Sequence, residues 1–273
     1  MQDYLNPKLV MIEILLPTIN KVAEYQKLAF SDRDIVFQTK KDKFDFVSEV
    51  DKRSQRIILN TIEEYFPRSG IVAEEEGEDK LSEDRTWFFV DPLDGTANFK
   101  AGIPFWAISI GFVKNGVVEE GIISLPYTGE TFHSQDFSPL VKPLAKLSET
   151  QFYGIDSSFE HIQFEGLILK RRQLGAAVPI LLWCCDSQNR QRSRLDFALM
   201  GKGSFWDVCG AIAFFKQQEG SLIDATGVDF TECSNIFEVL GEFNQIRNYN
   251  FCYVASASKK VAQEIHQRYL NIS

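Results

Sequence analysis

The stretch Trp87-Phe88-Phe89-Val90-Asp91-Pro92-Leu93-Asp94-Gly95-Thr96 predicts a buried strand that ends in carboxylates. Its first four residues are bulky and apolar, which is typical of a strand covered on both faces. Pro92 has no N–H for a sheet hydrogen bond, so the strand ends near Asp91. Two carboxylates, a backbone carbonyl and a hydroxyl lie at its end, and hard cations prefer such oxygen ligands. An acidic turn is the alternative, because Pro, Asp and Gly are common turn residues.

Three further acidic residues lie at the ends of other predicted elements. Glu74 directly follows an apolar strand, Asp51 lies near a helix start, and Asp207 lies in the first turn of another helix. Each also has a structural interpretation, since Asp51 suits a helix cap and a run of acids is usually a solvated loop. If all these carboxylates converge with Asp91 and Asp94, metal ions must neutralise them, as at a phosphoryl-transfer site with two or three metals.

Composition and charge restrict the classes of partner. The 273 residues are 44% hydrophobic and carry a formal net charge of −9, which argues against a nucleic-acid polymer or an anionic membrane. An anionic substrate remains compatible, because divalent cations reverse the local field of a carboxylate pocket. No segment approaches the roughly 20 apolar residues of a membrane span, and the N-terminus does not resemble a signal peptide. The five cysteines lack paired spacing, so we expect reduced thiols and a cytoplasmic protein.

The remaining sequence predicts helices and strands in two domains, 1–145 and 146–273. A helix that starts near Pro7 has apolar residues at helical spacing, and Pro17 predicts a kink or break in it; no chemistry is assigned to this helix. Residues 105–134 predict a meander of β-hairpins, whereas 164–170 predict a helix.

Four motifs resemble signatures of the inositol monophosphatase family, the Mg²⁺-dependent, lithium-sensitive sugar-phosphate phosphatases. They follow one another along the chain in the family's order. The central signature, D-P-(I/L)-D-G-T-x-N-F, occupies residues 91–99. The flanking motifs are D-(L/F)-V-(T/S)-x-x-D at 45–51, (G/A)-E-E at 73–75 and W-D-V-x-(G/A)-(G/A) at 206–211. The resemblance extends from about residue 8 to the end, and it is strongest over residues 40–130.

The resemblance implies a magnesium site with two or three ions. Glu74, Asp91 and the Leu93 carbonyl would hold the first ion. The second would be held by Asp91, Asp94 and Asp207, and a third, weaker ion by Glu74 and waters.

The resemblance also implies the catalytic groups. Asp51 and Thr96 would position and activate the attacking water together with Glu74, and the amides of Gly95 and Thr96 would receive the phosphate. A family lysine near the site corresponds to Lys40, with Lys41 and Lys43 as alternatives.

The family implies a mixed α/β fold, a layered αβαβα sandwich. Its N-terminal half would be an antiparallel sheet with helices, and a smaller C-terminal α/β unit would supply Asp207. A homodimer is usual in the family, although no feature of this sequence indicates one.

The substrate side resembles the family less closely. Ser157, Gly175 and Ala177 lie in segments that match the lining of the alcohol pocket. Met200 occupies the place of a glutamate that hydrogen-bonds substrate hydroxyls, and its thioether cannot make those bonds. Residues 186–194 also look inserted. We therefore predict hydrolysis of a small phosphorylated alcohol, with 3′-phosphoadenosine phosphate, another sugar phosphate or histidinol phosphate as alternatives. A phosphatase-like binding module without turnover is a further alternative.

Overall fold

The computed structural model describes residues 7–31, 35–40, 46–75, 79–159, 162–185 and 194–270. The side chains of residues 7–10 and of Ser157 lie outside this description, as do Lys41, Lys43, Asp45 and residues 186–193. The strands are β1 (Phe37–Thr39), β2 (Phe46–Ser48), β3 (Gly70–Ala73), β4 (Thr86–Asp94), β5 (Ala107–Lys114), β6 (Val117–Leu125), β7 (Glu130–His133), β8 (Phe152–Ile155), β9 (Lys170–Arg172), β10 (Phe197–Met200), β11 (Ser221–Asp224) and β12 (Tyr253–Ser256). The helices are α1 (Pro7–Phe30), α2 (Glu49–Tyr65), α3 (Thr96–Lys100), α4 (Ala177–Cys185), α5 (Phe205–Gln217), α6 (Phe237–Leu240), α7 (Phe243–Ile246) and α8 (Lys259–Ile265).

Two five-stranded sheets alternate with layers of helices. The first sheet has the order β3-β4-β5-β6-β7, and its strands are antiparallel except for the parallel pair β3 and β4. The second sheet has the order β11-β12-β10-β8-β9 and is mixed. Helices α1 and α2 cover one face of the first sheet, α4 and α5 lie between the sheets, and α8 covers the far face of the second. The predicted layered αβαβα fold is therefore confirmed.

The aromatic half of β4 is buried on both faces, as its composition predicted. Phe88 and Val90 pack against α1 and α2, whereas Phe89 packs into the cluster that contains α4 and α5. Successive side chains of a strand point to opposite faces of the sheet. The aromatic half of β4 therefore contributes to two hydrophobic layers. The end of β4 consequently lies at a fixed place between them.

Helix α5 lies very close to the first sheet. A Cβ atom added to Gly121 of β6 would stand 2.2 Å from the carbonyl oxygen of Gly210 in α5. Glycine therefore permits the contact. The close packing holds the start of α5, and with it Asp207, near the ends of β3 and β4.

The structure narrows one local prediction, the kink or break at Pro17, and contradicts another. Helix α1 does not break at Pro17, because Leu15 and Ile19 on either side are buried in the core and this packing outweighs the missing hydrogen bond. Residues 164–170 form a turn that leads into β9 rather than a helix. Phe164, Leu167 and Leu169 instead pack in the cluster under α8, whereas Ile168 is exposed.

The division into domains at residues 145 and 146 stays a prediction. The two sheets lie on either side of this boundary in the sequence, but the largest hydrophobic cluster contains residues from both. Among the described helices, none is both long and apolar enough to cross a membrane.

Candidate active site

The carboxylates of Glu74 and Asp91 meet at the ends of two neighbouring parallel strands. The Glu74 amide, just after β3, donates to the Val90 carbonyl in β4 at 2.9 Å. Asp207 enters from the first turn of α5, where its carboxylate accepts from the Ser204 amide at 2.9 Å. The Asp91 carboxyl lies within hydrogen-bonding reach of both Glu74 and Asp207. The ends of β3 and β4 and the start of α5 thus place Glu74 and Asp207 beside Asp91.

Asp51 combines the capping role and the contact with Thr96. One carboxylate oxygen accepts from the Ser48 amide at 2.9 Å and from its hydroxyl at 2.5 Å, which completes a capping box at the start of α2. The other oxygen lies 2.9 Å from the Thr96 hydroxyl, which also lies 3.1 Å from the Leu93 carbonyl. The Thr96 hydroxyl has a single proton, so it can donate to either acceptor.

Asp94 connects the first sheet to helix α4. Its two carboxylate oxygens accept from the amides of Ala177 at 3.2 Å and Val178 at 2.7 Å. A carboxylate at a helix N-terminus is favoured by the amides and the dipole there. The structure therefore places Ala177, one of the predicted substrate residues, directly beside Asp94, whereas Gly175 lies against Asn98.

The turn after Asp94 requires glycine. Gly95 has φ 98°, and a Cβ there would stand 2.9 Å from the Ala176 Cβ. Asn98, one turn later, donates to the carbonyls of Phe105 and Leu174 at 2.8 and 2.7 Å. The predicted phosphate-binding turn is thus held against the segment that precedes α4.

Burial and mutual repulsion raise the pKa values of the central acids. Burial contributes most to raising the pKa of Asp91 well above its usual range, and the neighbouring charge of Glu74 adds to it. The pKa of Asp207 is raised well above its usual range by burial and by Asp94. Burial raises the pKa of Asp94 to about 7, although the amides of α4 oppose this. Such raised values indicate that the acids need protons or cations to coexist.

The carboxyls at the edge of the cluster are affected less strongly. Burial raises the pKa of Asp51 to about 6, against the hydrogen bonds from Ser48 and Thr96. Burial and the charge of Glu74 raise the pKa of Glu75 to about 7. Lys40 Nζ lies 2.9 Å from Glu74 and 2.8 Å from Glu75. Burial alone would lower the pKa of Lys40, but the two carboxylates raise it above its ordinary value.

The donor set fits a hard cation in kind and charge. All the converging side chains are carboxylates, with the Leu93 carbonyl nearby, and such oxygens are the ligands of Mg²⁺. Glu74 Oε2 is buried and has no hydrogen-bond partner, which leaves it available as a ligand. Within the described ranges, no three acidic, histidine or cysteine side chains form a ready-made ligand group for a metal ion. Their oxygens instead accept hydrogen bonds from backbone amides and from Lys40.

Arg247, which the sequence analysis missed, holds the end of β3 from the C-terminal half. Its guanidinium donates to the carbonyls of Ala73, Glu74 and Glu75 at 2.5, 3.0 and 3.4 Å. It also forms an ion pair with Asp79 at 2.7 Å. No local motif surrounds Arg247, so only the tertiary structure could identify this contact.

The residues predicted to line the substrate pocket do not converge in the way the predicted metal ligands do. Met200 is 1% exposed and belongs to the hydrophobic core between the sheets, so it forms no part of a polar pocket. Ser157 begins a short 3₁₀ turn, and its side chain lies outside the described atoms. The carboxylate of Asp156 accepts from the amides of Ser158, Gly201 and Lys202, which joins the turn to the loop before α5.

Comparison with known proteins identifies the chain's relatives. The model of the inositol monophosphatase family matches residues 9–150. The fructose-1,6-bisphosphatase/inositol-1-monophosphatase of Thermotoga maritima is 30% identical over 209 residues, covering 71% of this chain and 77% of the relative. The Nus factor SuhB of Escherichia coli is 31% identical over 232 residues, covering 80% and 86% respectively.

Solved structures show the same fold. The extragenic suppressor protein suhB of Bartonella henselae matches with a TM-score of 0.74 at 21% identity, covering 97% of this chain and 99% of that one. An IMPase/NADP phosphatase complexed with Mg²⁺ and phosphate matches with a TM-score of 0.71 at 17% identity, covering 98% and 95%. The chain belongs to the inositol monophosphatase family.

Proposed function

We propose that the protein is a Mg²⁺-dependent phosphomonoesterase that hydrolyses a small phosphorylated alcohol. Membership of the family supports a phosphatase as the general activity. The observation that carries the proposal is the buried contact of Asp91 with Glu74 and Asp207, since repulsion in this cluster favours cation binding. The Mg²⁺ and phosphate of the related IMPase/NADP phosphatase support the same choice of ion and substrate group.

Two or three Mg²⁺ ions would be held by Glu74, Asp91, Asp94, Asp207 and the Leu93 carbonyl. When bound, such ions polarise a phosphoryl oxygen and make water more acidic. For Asp94, the amides of Ala177 and Val178 already fix the carboxylate plane. Each of its oxygens retains a second lone pair for a ligand.

Asp51 and Thr96 form the proton-transfer pair of the proposed site. With a pKa of about 6, Asp51 is mostly ionised at pH 7, yet it is basic enough to accept a proton at the oxygen that faces Thr96. The Thr96 hydroxyl lies 2.9 Å from this oxygen, so it can accept a proton from water as it donates its own. The amides of Gly95 and Thr96, at the start of α3, would receive the phosphate.

The alcohol side of the proposed pocket is formed by the segment around Gly175 and Ala177, with Ser157 as a predicted contact. Because Met200 is buried in the core, we infer that recognition of hydroxyls falls to backbone groups and to other side chains. We therefore propose a small phosphorylated metabolite as substrate without assigning inositol. The homodimer and the cytoplasmic location stay predictions.

A panel of phosphate esters tests the proposal. Inositol monophosphate, fructose 1,6-bisphosphate, 3′-phosphoadenosine 5′-phosphate and histidinol phosphate would be incubated with Mg²⁺, with and without Li⁺, while phosphate release is measured. We expect Mg²⁺-dependent release from at least one ester, lost in Asp207→Asn and unchanged in the surface variant Glu63→Gln. Release that persists in EDTA would contradict the proposal.

A binding module without turnover is the second candidate, and the relative named as a Nus factor favours it. The formal net charge of −9 argues against a polyanionic partner for this chain. The same panel separates the two candidates, because a binding module would bind Mg²⁺ by calorimetry and release no phosphate from any ester.

A further inference from the structure

Gln26 of helix α1 is a polar residue in the middle of an apolar stripe. Ile19, Val22 and Gln26 recur at helical spacing, and all three are 0% exposed. A buried amide is costly unless its hydrogen bonds are made. This helix received no chemical role from its sequence, so the partners of Gln26 decide whether it has one.

Every polar atom of the Gln26 side chain is engaged. Its Nε2 donates to the Pro92 carbonyl at 2.7 Å and to the Ser54 hydroxyl at 3.0 Å. Its Oε1 accepts from Trp106 Nε1 at 3.1 Å. A carbonyl can only accept and an indole N–H can only donate, so these partners permit a single orientation of the amide.

The Pro92 carbonyl needs this partner because β4 leaves the sheet ladder at that point. Asp91 pairs with Ser109 and Asp94 pairs with Ala107, so two residues of β4 intervene where β5 has one, Ile108. In an irregularity of this kind the backbone groups must find partners outside the ladder. Gln26, 66 residues earlier in the chain, supplies one for Pro92.

The same peptide unit touches a proposed metal ligand. The carbonyl of Pro92 and the amide of Leu93 belong to one planar group. That amide donates to Asp91 Oδ1 at 2.9 Å. An amide that fixes the carbonyl therefore also fixes the N–H and, through it, the direction of the Asp91 carboxylate.

We propose that Gln26 is a positioning residue of the metal site, acting on Asp91 through the Pro92–Leu93 peptide. The inference rests on the proposed function, because it concerns the same Mg²⁺ ions. Groups behind a metal ligand typically change metal affinity by about 10- to 100-fold when removed. Since Gln26 acts through one further peptide, we expect the lower end of that range.

The test compares Gln26→Met with Ser54→Ala in the full chain. Both variants remove a hydrogen bond of the Gln26 cluster, but only Gln26→Met removes the bond to Pro92. Mg²⁺ binding would be measured by isothermal titration calorimetry without substrate, and thermal unfolding would be measured in EDTA. We expect Gln26→Met to weaken Mg²⁺ binding about tenfold and Ser54→Ala to change it less than about twofold.

Two results would overturn the role of Gln26 alone: wild-type Mg²⁺ affinity in Gln26→Met, or equal weakening in Ser54→Ala. If Gln26→Met does not fold, Gln26→Asn replaces it, because the shorter amide withdraws from Pro92 and should also weaken binding. Failure of the wild-type chain to bind Mg²⁺ would overturn the proposed function together with this inference, so the two failures are distinguishable.

Discussion

The two neighbouring strands that carry the acidic residues are held at their ends by different kinds of group. At the end of β3, the Lys40 amine binds the side chains of Glu74 and Glu75, and the Arg247 guanidinium binds their carbonyls. At the end of β4, the buried amide of Gln26 binds the Pro92 carbonyl. The first support is cationic and partly exposed, whereas the second is neutral and inaccessible to water.

This difference follows from what each end must do. Glu74 and Glu75 are adjacent carboxylates, so a nearby cation lowers their repulsion. A neutral hydrogen bond orients the Asp91 turn without changing the charge that attracts the ion.

Substitution of Asp91, the acid beside the neutral support of β4, should cause the greatest loss of activity. We expect Asp91→Asn to reduce phosphate release by about 1,000-fold or more, since loss of one preorganised electrostatic group already costs about 10²–10³. The metal-free protein should remain folded, because the substitution relieves repulsion in the cluster. Steady-state release at limiting Mg²⁺ measures the effect, with Glu63→Gln as the control. Full activity in Asp91→Asn would remove Asp91 from the ligand set.

Lys40→Met breaks the cationic support of β3. We expect a loss of activity of about tenfold or more at pH 7 and partial recovery at higher pH. The Lys40 contact lowers the pKa of Glu75, so without it the carboxyl holds its proton to higher pH. The pH profiles of Lys40→Met and of Lys52→Met, a surface pair with Glu49, measure this. Identical profiles would mean that Lys40 does not set the charge at this end.

Arg247→Met tests the backbone support of β3 from the C-terminal half. We expect a loss of about 1–3 kcal/mol in the free energy of unfolding, because carbonyls and the Asp79 carboxylate lose a charged donor. Activity should fall several-fold as Glu74 becomes less ordered. Urea unfolding compares this variant with Arg268→Met, which breaks an exposed pair with Glu264. An equal effect in both variants would contradict a specific role for Arg247.

The smallest effect concerns the pH dependence of the metal-free protein. Folding raises the pKa values of Asp51, Glu75 and Asp94 to about 6, 7 and 7. The folded state therefore holds more protons than the unfolded state between about pH 4 and pH 7. The contribution of these protonated carboxyls to the free energy of unfolding is complete below about pH 4. It is lost as the pH rises through 6 to 7.

We consequently expect the melting temperature in EDTA to fall by several degrees from pH 5 to pH 8. Saturating Mg²⁺ should oppose this fall, because it binds the ionised acids. Glu75→Gln should flatten the dependence and thereby isolate the β3 contribution, whereas Glu63→Gln should leave it unchanged. A melting temperature that rises with pH in EDTA would show that ionisation of these acids does not destabilise the folded state.

The sequence predicted the layered fold and the family, and both are confirmed. It also predicted which acids end their strands, and the structure brings Glu74, Asp91 and Asp207 together, although their roles remain predictions. A break at Pro17 and a helix at 164–170 do not occur, because packing overruled local preference. Met200 was identified from its place before Trp206, but its burial in the core required the structure.

Single residues of the chain fix only local features of the fold. Pro92 has no N–H and interrupts the ladder, although β4 continues to Asp94 rather than ending near Asp91. Gly95 makes the turn because it alone tolerates φ 98° without strain. The tertiary structure decided the contacts between distant segments: Gln26 with Pro92, Arg247 with the β3 carbonyls, and Asp94 with α4. These pairs are separated by 66 to 174 residues. Hydrogen bonding of this kind depends on where the packed layers place each backbone group, which no local pattern in the chain encodes.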